Sequence, residues 1–253
     1  MDQISPFARK LIRTLHERKH RYNERMFIAE GEKTCADLLK SNLSAEFVIV
    51  YGGASEYCFW LAEQFYDNGA EVYTAGHATF EQLTDAKTPQ GIFAVVKMPE
   101  PDMAFKNSFI ALDGIADPGN IGTIIRTADW FGFKNIILSP NCADVFSPKT
   151  VRATMGSVFT MNIVYNTDLP EFLKEHSFKE IFGATLEAEI TLEDCAPTGN
   201  FGLILGSESH GISENVRSFL KTEFIIPGSG NAESLNVGIA AGISLYHFSK
   251  FSF

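Results

Sequence analysis

Arg126 lies six residues beyond Asn120, within the segment 117–132 (DPGNIGTIIRTADWFG). Two further segments, 206–212 (GSESHGI) and 226–240 (IPGSGNAESLNVGIA), carry Glu208, Ser234 and Asn236. Each segment puts glycines and small polar residues where an apolar strand gives way to a loop or helix. That is where α/β proteins bring main chain close to a ligand. The chemistry these residues suggest is ligand binding against backbone, with one cation and several amides, hydroxyls and carboxylates at hand.

Arg126 follows Asn120 by nearly two helical turns, so its side chain can share a face with 120–122 while Ile121, Ile124 and Ile125 form an apolar one. The macrodipole does not explain a cation here, because it favours acids towards the N-terminal end. An ion pair with Asp117, Asp129 or another acid is the structural alternative. Glu208 follows Gly206 at the end of an apolar run and could bind a cofactor, anchor a loop or pair across a subunit interface. Ser234 is placed as an N-cap or first-turn residue of a helix starting near Leu235, and Asn236 is a polar side chain in that apolar helix. An unpaired buried amide costs about 1–3 kcal/mol, so Asn236 must bond a neighbouring loop or a substrate.

Other chemistries are disfavoured. GSESHG is not the GxSxG of a nucleophile elbow, and His210 reads as a loop residue. Gly228-x-Gly230 does not continue as a dinucleotide fingerprint, and Gly31-Glu32-Lys33-Thr34 lacks the upstream glycine of a P-loop. Cys35, Cys58, Cys142 and Cys195 are scattered without metal-ligand spacing and read as buried thiols of a reducing cytosol. The polar N-terminus argues against a signal peptide, and the longest apolar stretch, 235–248, is too short to span a bilayer.

The 253 residues, 45% hydrophobic and 21% charged, describe an ordinary globular protein of one large or two modest domains. Net charge is −10, yet residues 1–40 carry nine Lys/Arg against six Asp/Glu. The bases Arg9, Lys10, Arg13, Arg18, Lys19, Arg21 and Arg25 cluster there, with His16 and His20 interleaved. Such a cluster can contact phosphates while an acidic remainder repels non-specific nucleic acid. A solvated amphipathic helix with Phe7, Leu11 and Leu15 turned inward would give the same pattern.

The elements that must position these residues fall into two α/β series. In the first, 5–18, 31–40, 56–67 and 77–84 read as helices, and 47–51, 71–74 and 92–96 as strands. Residues 1–97 therefore predict a small α/β/α sandwich. Residues 98–105 (MPEPDMAF) read as a linker. In the second, 106–253, strands are expected at 109–112, 136–138, 159–164, 181–184, 202–205 and 223–226. Helices are expected near 120–131, 148–156, 169–176, 213–220 and 235–248, with Asn120 capping the first. Apolar strands separated by helices imply a mostly parallel sheet covered on both faces.

The three segments, in this order, resemble the signature motifs of the SpoU-type RNA ribose methyltransferases, the knotted SPOUT class. The resemblance implies a C-terminal domain built around a deep trefoil knot, an exception to the rule against threaded chains. It implies S-adenosylmethionine as cofactor, held mainly by backbone near Gly206, Ile226 and Leu235, with Thr185 of GATLE close by. It maps the family's catalytic set onto Asn120, Arg126, Glu208, Ser234 and Asn236, with all five identities matching. Gly228 and Gly238 stand where many relatives have methionine and serine. Residues 10–39 resemble, more loosely, the appended substrate-binding domain of the family. That points to RNA contacts from Arg9, Arg13, Arg18, Lys19, Arg21 and Arg25.

The implied reaction is in-line attack of a ribose 2′-oxygen on the sulfonium methyl, in a homodimeric cytoplasmic enzyme. Arginine is proposed as the base in this family, but a free guanidinium has a pKa above about 12 and no acceptor. Binding the adjoining phosphate and stabilising charge on the 2′-oxygen suits Arg126 better. Ser234 and Asn236 would orient the nucleotide or the arginine, Asn120 would shape the pocket, and Glu208 would support the loop or the dimer. Family analogy favours rRNA over tRNA. A catalytically silent RNA-binding relative would be free to lose Arg126, and a methyltransferase with a non-RNA acceptor would have no use for the basic N-terminal domain.

Overall fold

The computed structural model describes residues 1–86, 88–176 and 178–251. The chain forms two compact units, Met1–Glu100 with Asp144–Thr160, and Pro101–Ala143 with Met161–Phe253.

The first unit runs through β1 (Asp2–Gln3), α1 (Pro6–Thr14), α2 (Arg18–Glu24), β2 (Met26–Glu30) and α3 (Glu32–Leu39). It continues with β3 (Ala45–Tyr51), α4 (Glu56–Asp67), β4 (Glu71–Ala75), α5 (His77–Glu81) and β5 (Ile92–Lys97). Its sheet has the order β1-β4-β3-β5-β2, with β5 antiparallel to both neighbours. Ser5 caps α1 by accepting from Ala8 N, and Pro6 occupies the first turn, where no N–H is needed.

The helix expected over 5–18 is the shorter α1, and α2 beyond it was not anticipated. Leu15 ends α1, Arg18 begins α2, and Arg25 stops α2 in the left-handed region at φ 57°. Ala8, Ile12 and Leu15 form the buried stripe, whereas Phe7, expected inward, is 70% exposed. Strand β2 was not anticipated, because only Arg25, and no glycine, proline or asparagine, separates it from a basic helix.

The remaining elements, in chain order, are β6 (Phe109–Asp113), α6 (Pro118–Trp130), β7 (Asn135–Leu138), α7 (Pro148–Thr154), β8 (Asn162–Val164) and α8 (Leu169–His176). They end with β9 (Glu180–Ala184), β10 (Phe201–Gly206), α9 (Glu214–Arg217), β11 (Thr222–Phe224) and α10 (Val237–Phe248). Residues 144–160, which carry α7 and were grouped by sequence with the second series, pack in the first unit. Asp144 accepts from Arg21 Nε at 3.0 Å and from the Tyr22 hydroxyl at 2.8 Å. Phe146 lies 4.9 Å, ring to ring, from Phe27 of β2, and Arg152 pairs with Glu30 at 3.2 Å.

The second unit is a fully parallel sheet of order β11-β9-β10-β6-β7-β8. Its central strands, FIALD and FGLILG, are buried along almost their whole length, as a sheet covered on both faces requires. One cluster joins Phe105, Phe109 and Ile204 to Phe172 and Leu173 of α8 and Val216 of α9. Ile121, Ile124, Ile125 and Ala128 of α6 are likewise fully buried. Phe248 of α10 meets Phe182, Phe201 and Phe224 at 5.0–5.7 Å. Helix α10 packs against α6.

Several elements are shorter than their sequence patterns suggested, among them α5, which stops at Glu81, and α7, which stops at Thr154. The 159–164 run is a 3-10 turn, Ser157–Phe159, followed by β8. The 213–220 helix is a single turn. Strand β11 stops at Phe224, after which Ile225 bridges only to Thr191. Among the described residues no helix is long and apolar enough to cross a membrane.

Candidate active site

The three motifs leave the sheet from the carboxyl ends of β6, β10 and β11. Asp113 of β6 and Gly206 of β10 are direct partners in the parallel register, so the first two motifs begin side by side. Thr185 N, just past β9, donates to Phe224 O at 3.0 Å and brings the third alongside. Ligands of open α/β sheets bind at this edge.

Asp117, not Asn120, caps α6: its carboxylate accepts from Asn120 N at 2.9 Å, and Pro118 fills the first turn. The Asp-Pro pair is a sequence signal for that cap, because proline is tolerated where the helix needs no donor. Relieved of capping, the Asn120 side chain donates Nδ2–H to Glu208 Oε1 and accepts at Oδ1 from Asn236 Nδ2 at 3.1 Å. Glu208, Asn120 and Asn236 thereby join all three motifs.

Asn236 is the N-cap of α10 and lies outside the helix, correcting the expected start near Leu235. Its Oδ1 accepts from Gly238 N at 2.9 Å and Ile239 N at 3.3 Å. Ser234 is therefore in the loop before the cap, exposed, with no hydrogen-bond partner among the described residues. Arg126 is also exposed, and no hydrogen bond or ion pair reaches its guanidinium among the described residues. The pairing with Asp117 or Asp129 that the sequence left open is not made.

The residues expected around the cofactor divide by what frees or commits them. Gly206 is required by the loop itself: a Cβ there would fall 2.1 Å from the Gly211 carbonyl carbon, where Ser207 and Gly211 form a tight two-way bridge. The Thr185 hydroxyl is committed to Glu223 at 3.0 Å. Glu223 in turn takes the Arg217 guanidinium in two bonds, and that cation holds its carboxyl below the usual range. Ile226 is half-buried and Leu235 is 45% exposed. From 227 to 235 the main chain makes no hydrogen bond among the described residues. Its donors and acceptors are available to a ligand. His210 is an exposed loop residue whose Nδ1 lies 2.7 Å from Ser209 Oγ.

Sequence reasoning missed Asp117 as cap and Asp113 as a clamp, whose carboxylate accepts from Ser213 N at 2.8 Å and closes the Glu208 loop. Nothing local in the sequence marks the second, because the contact spans 100 residues.

Among the basic residues, Arg21 is corrected. It is 3% exposed and is bound to Asp144 and to Leu15 O at 2.7 Å, so it cannot reach a phosphate. Lys10, Arg13, Arg18 and Lys19 are exposed, Arg9 is half-buried, and Arg25 pairs with Glu100 at 2.7 Å.

Fold and site together are a parallel α/β domain whose three motifs are joined by the Glu208–Asn120–Asn236 chain, with Arg126 on the same helix as Asn120 and bonded to nothing among the described residues. Residues 107–246 match the SpoU rRNA Methylase family, and residues 9–94 the MRM3-like substrate binding domain. The 23S rRNA (guanosine(2553)-2′-O)-methyltransferase RlmP of Bacillus subtilis is 32% identical over 235 residues, covering 92% of each chain. The 23S rRNA (guanosine-2′-O-)-methyltransferase RlmB of Acinetobacter baylyi is 30% identical, over 74% of this chain and 79% of that one. The AdoMet-bound rRNA methyltransferase of Sinorhizobium meliloti has a TM-score of 0.86 at 28% identity, covering 99% of this chain and 97% of that one. The chain belongs to the SpoU rRNA methylase family.

Proposed function

We propose that this protein transfers a methyl group from S-adenosylmethionine to a ribose 2′-hydroxyl of RNA, with rRNA as the substrate class. The observation that carries this is the Glu208–Asn120–Asn236 chain at the strand ends, with Arg126, unpaired among the described residues, on the helix that holds Asn120. Family membership and the activities of the relatives support the same reading.

The cofactor supplies a methyl already activated on sulfonium sulfur, so the protein's work is alignment and charge. Main-chain groups of 227–235 and the backbone at Gly206 and Thr185 hold the adenosine part, with Ile226 and Leu235 as apolar contacts. Arg126 binds the phosphate beside the acceptor ribose and stabilises negative charge growing on the 2′-oxygen, the role open to a side chain with donors and no acceptor. Asn236 and Glu208 fix the Asn120 amide from both sides, which shapes the pocket, and Ser234 orients the nucleotide. Fixed alignment of this kind can lower a barrier by about 7–11 kcal/mol.

Residues 1–97 serve as the RNA-binding domain, 98–105 as the linker and 106–253 as the knotted methyltransferase domain, except that 144–160 pack with the first unit. Arg9, Arg13, Arg18, Lys19 and Arg25 are the phosphate contacts, with Arg21 reassigned to the core. The strand order, with β10 between β9 and β6, supports a trefoil-knotted path. A homodimer is supported by an apolar stripe left on α10, where Ile239, Ile243 and Tyr246 are 56%, 39% and 57% exposed, and by Trp130 of α6 at 83%. Four buried free thiols suit a cytoplasmic protein.

The test is calorimetric titration with S-adenosylmethionine, followed by methylation of rRNA and tRNA from cells lacking the protein. Cofactor binding with methylation of rRNA at one ribose supports the reading. Absence of cofactor binding overturns it, and transfer confined to tRNA overturns the substrate class.

A further inference from the structure

The carboxyl ends of β3 and β4 lie in register, Tyr51 opposite Ala75, and open onto a cavity of about 100 Å³ within the first unit. Tyr51, His77, Phe80, Glu81, Pro89 and Gly91 line it. Tyr51 is pinned by its N–H, which donates to Gly91 O at 2.9 Å, and the next turn by Gly52 N donating to Ala75 O at 3.0 Å. Phe80 is 2% exposed and forms the floor. The Tyr51 ring stands 6.1 Å from Phe80 and 5.5 Å from His77, at 75° to the latter. Tyr51 touches both of the other rings, and the three form one continuous aromatic wall, on whose open side a flat ring can stack against Tyr51. His77 Nδ1 and Glu81 Oε2, 3.3 Å apart, form the polar rim.

The volume is far below the roughly 300 Å³ at which small-molecule sites begin, and it suits one six-membered ring. The surroundings favour RNA as the source of that ring. Arg13 is exposed and held at the end of α5 by its hydrogen bond to Gln82 at 2.5 Å, and Lys10 is exposed on the same helix as Arg13. Aromatic walls beside such cations are the means by which proteins hold splayed, unpaired bases. An ionised Glu81 carboxylate only accepts hydrogen bonds. Cytosine offers it the N4 amine, whereas uracil would set its O4 acceptor against the same oxygens.

We propose that this slot takes the ring of an unpaired cytosine in the bound RNA, stacked against Tyr51 with its N4 amine donating to Glu81. The proposal rests on the RNA reading above and adds a base preference to it.

Binding of labelled oligocytidylate and oligouridylate to the full chain, followed by fluorescence anisotropy at fixed salt, tests it. The wild type should bind oligocytidylate about tenfold more tightly, the lower range of discrimination by one base-edge contact. Glu81→Gln should bring the two within about twofold, because an amide both donates and accepts. His77→Ala should weaken both. Glu81 is exposed, so the variants should fold, and unchanged circular dichroism and melting temperature check this. Equal binding of the two oligomers by the wild type, or an unchanged preference in Glu81→Gln, overturns the cytosine slot and leaves the RNA reading standing. Failure of both oligomers to bind, with methylation of rRNA intact, overturns the slot and leaves the RNA reading standing.

Discussion

Asn236 donates its Nδ2–H to Asn120 Oδ1 at 3.1 Å while its own Oδ1 starts α10 by accepting from Gly238 N and Ile239 N. One side chain is both the cap of a helix and the bridge between the third and first motifs. The two duties separate by substitution. Asn236→Ala loses both and should cost about 1 kcal/mol of stability together with most of the activity. Asn236→Asp keeps the capping oxygen and adds a charge that the helix N-terminus favours, but it has no N–H for Asn120. Its melting temperature should match or exceed wild type while methyl transfer falls roughly tenfold, the worth of one hydrogen bond. An Asp variant with full turnover would remove the bridge from the catalytic machinery.

Arg21 and its neighbours Arg18 and Lys19 look alike in sequence and should behave oppositely. Arg21 and Asp144 are 2.5 Å apart with side chains only 4% and 7% exposed. Truncating one partner of a buried pair leaves the other charge uncompensated, so Arg21→Ala should lose about 3–5 kcal/mol in denaturant unfolding. Arg18→Ala and Lys19→Ala should leave stability unchanged. Each should weaken RNA binding and reduce its salt slope by about 1. A stable Arg21→Ala protein with selectively weakened RNA binding would reverse the assignment.

The contrast shows what was legible in the chain. The parallel sheet was readable because β6 and β10 are continuous apolar runs, and the three motifs because each follows such a run. Arg21 was not readable: its partner lies 123 residues away, and local charge cannot distinguish a buried cation from an exposed one. Phe7 misled for a related reason. Helical spacing allows it on the inward face, but Ala8, Ile12 and Leu15 fill that face and leave the ring in solvent. At Asn120 and Asn236 the residue types pointed to the site while their local roles were misassigned. Capping depends on where a helix begins, and boundaries are weakly encoded in periodicity.

Acid should expose the Arg217–Glu223 link beneath Thr185. The Arg217 guanidinium, bonded to Glu223, is the largest cause holding that carboxyl below its ordinary value of 4.5, with Thr185 adding to the effect and burial opposing it. A depressed folded-state value contributes stability above 4.5 that is lost as pH falls through the folded value. The gap in melting temperature between wild type and Glu223→Gln should therefore close on acidification below 4.5. A gap that stays constant would mean the pair contributes nothing to folding.

The four thiols should be inert in the native protein. Cys35, Cys58, Cys142 and Cys195 are free and buried. Burial raises all four, Cys195 to about 11 with Asp194 adding to the shift, so little thiolate forms at mildly alkaline pH. Labelling with a thiol-specific disulfide reagent should be negligible when folded and reach four per chain in denaturant. Rapid labelling of the native protein would show that one of these thiols is accessible.

The most direct measurement compares wild type and Arg126→Ala in transfer of a labelled methyl from S-adenosylmethionine to rRNA, alongside calorimetric cofactor affinity for each. Arg126 is exposed and bonded to nothing among the described residues, so the fold should survive its loss. The predicted result is cofactor affinity within about twofold of wild type with transfer reduced by at least 100-fold, the scale on which charge-stabilising donors act. Normal transfer by Arg126→Ala, or loss of cofactor binding in step with activity, would contradict the role given to the arginine.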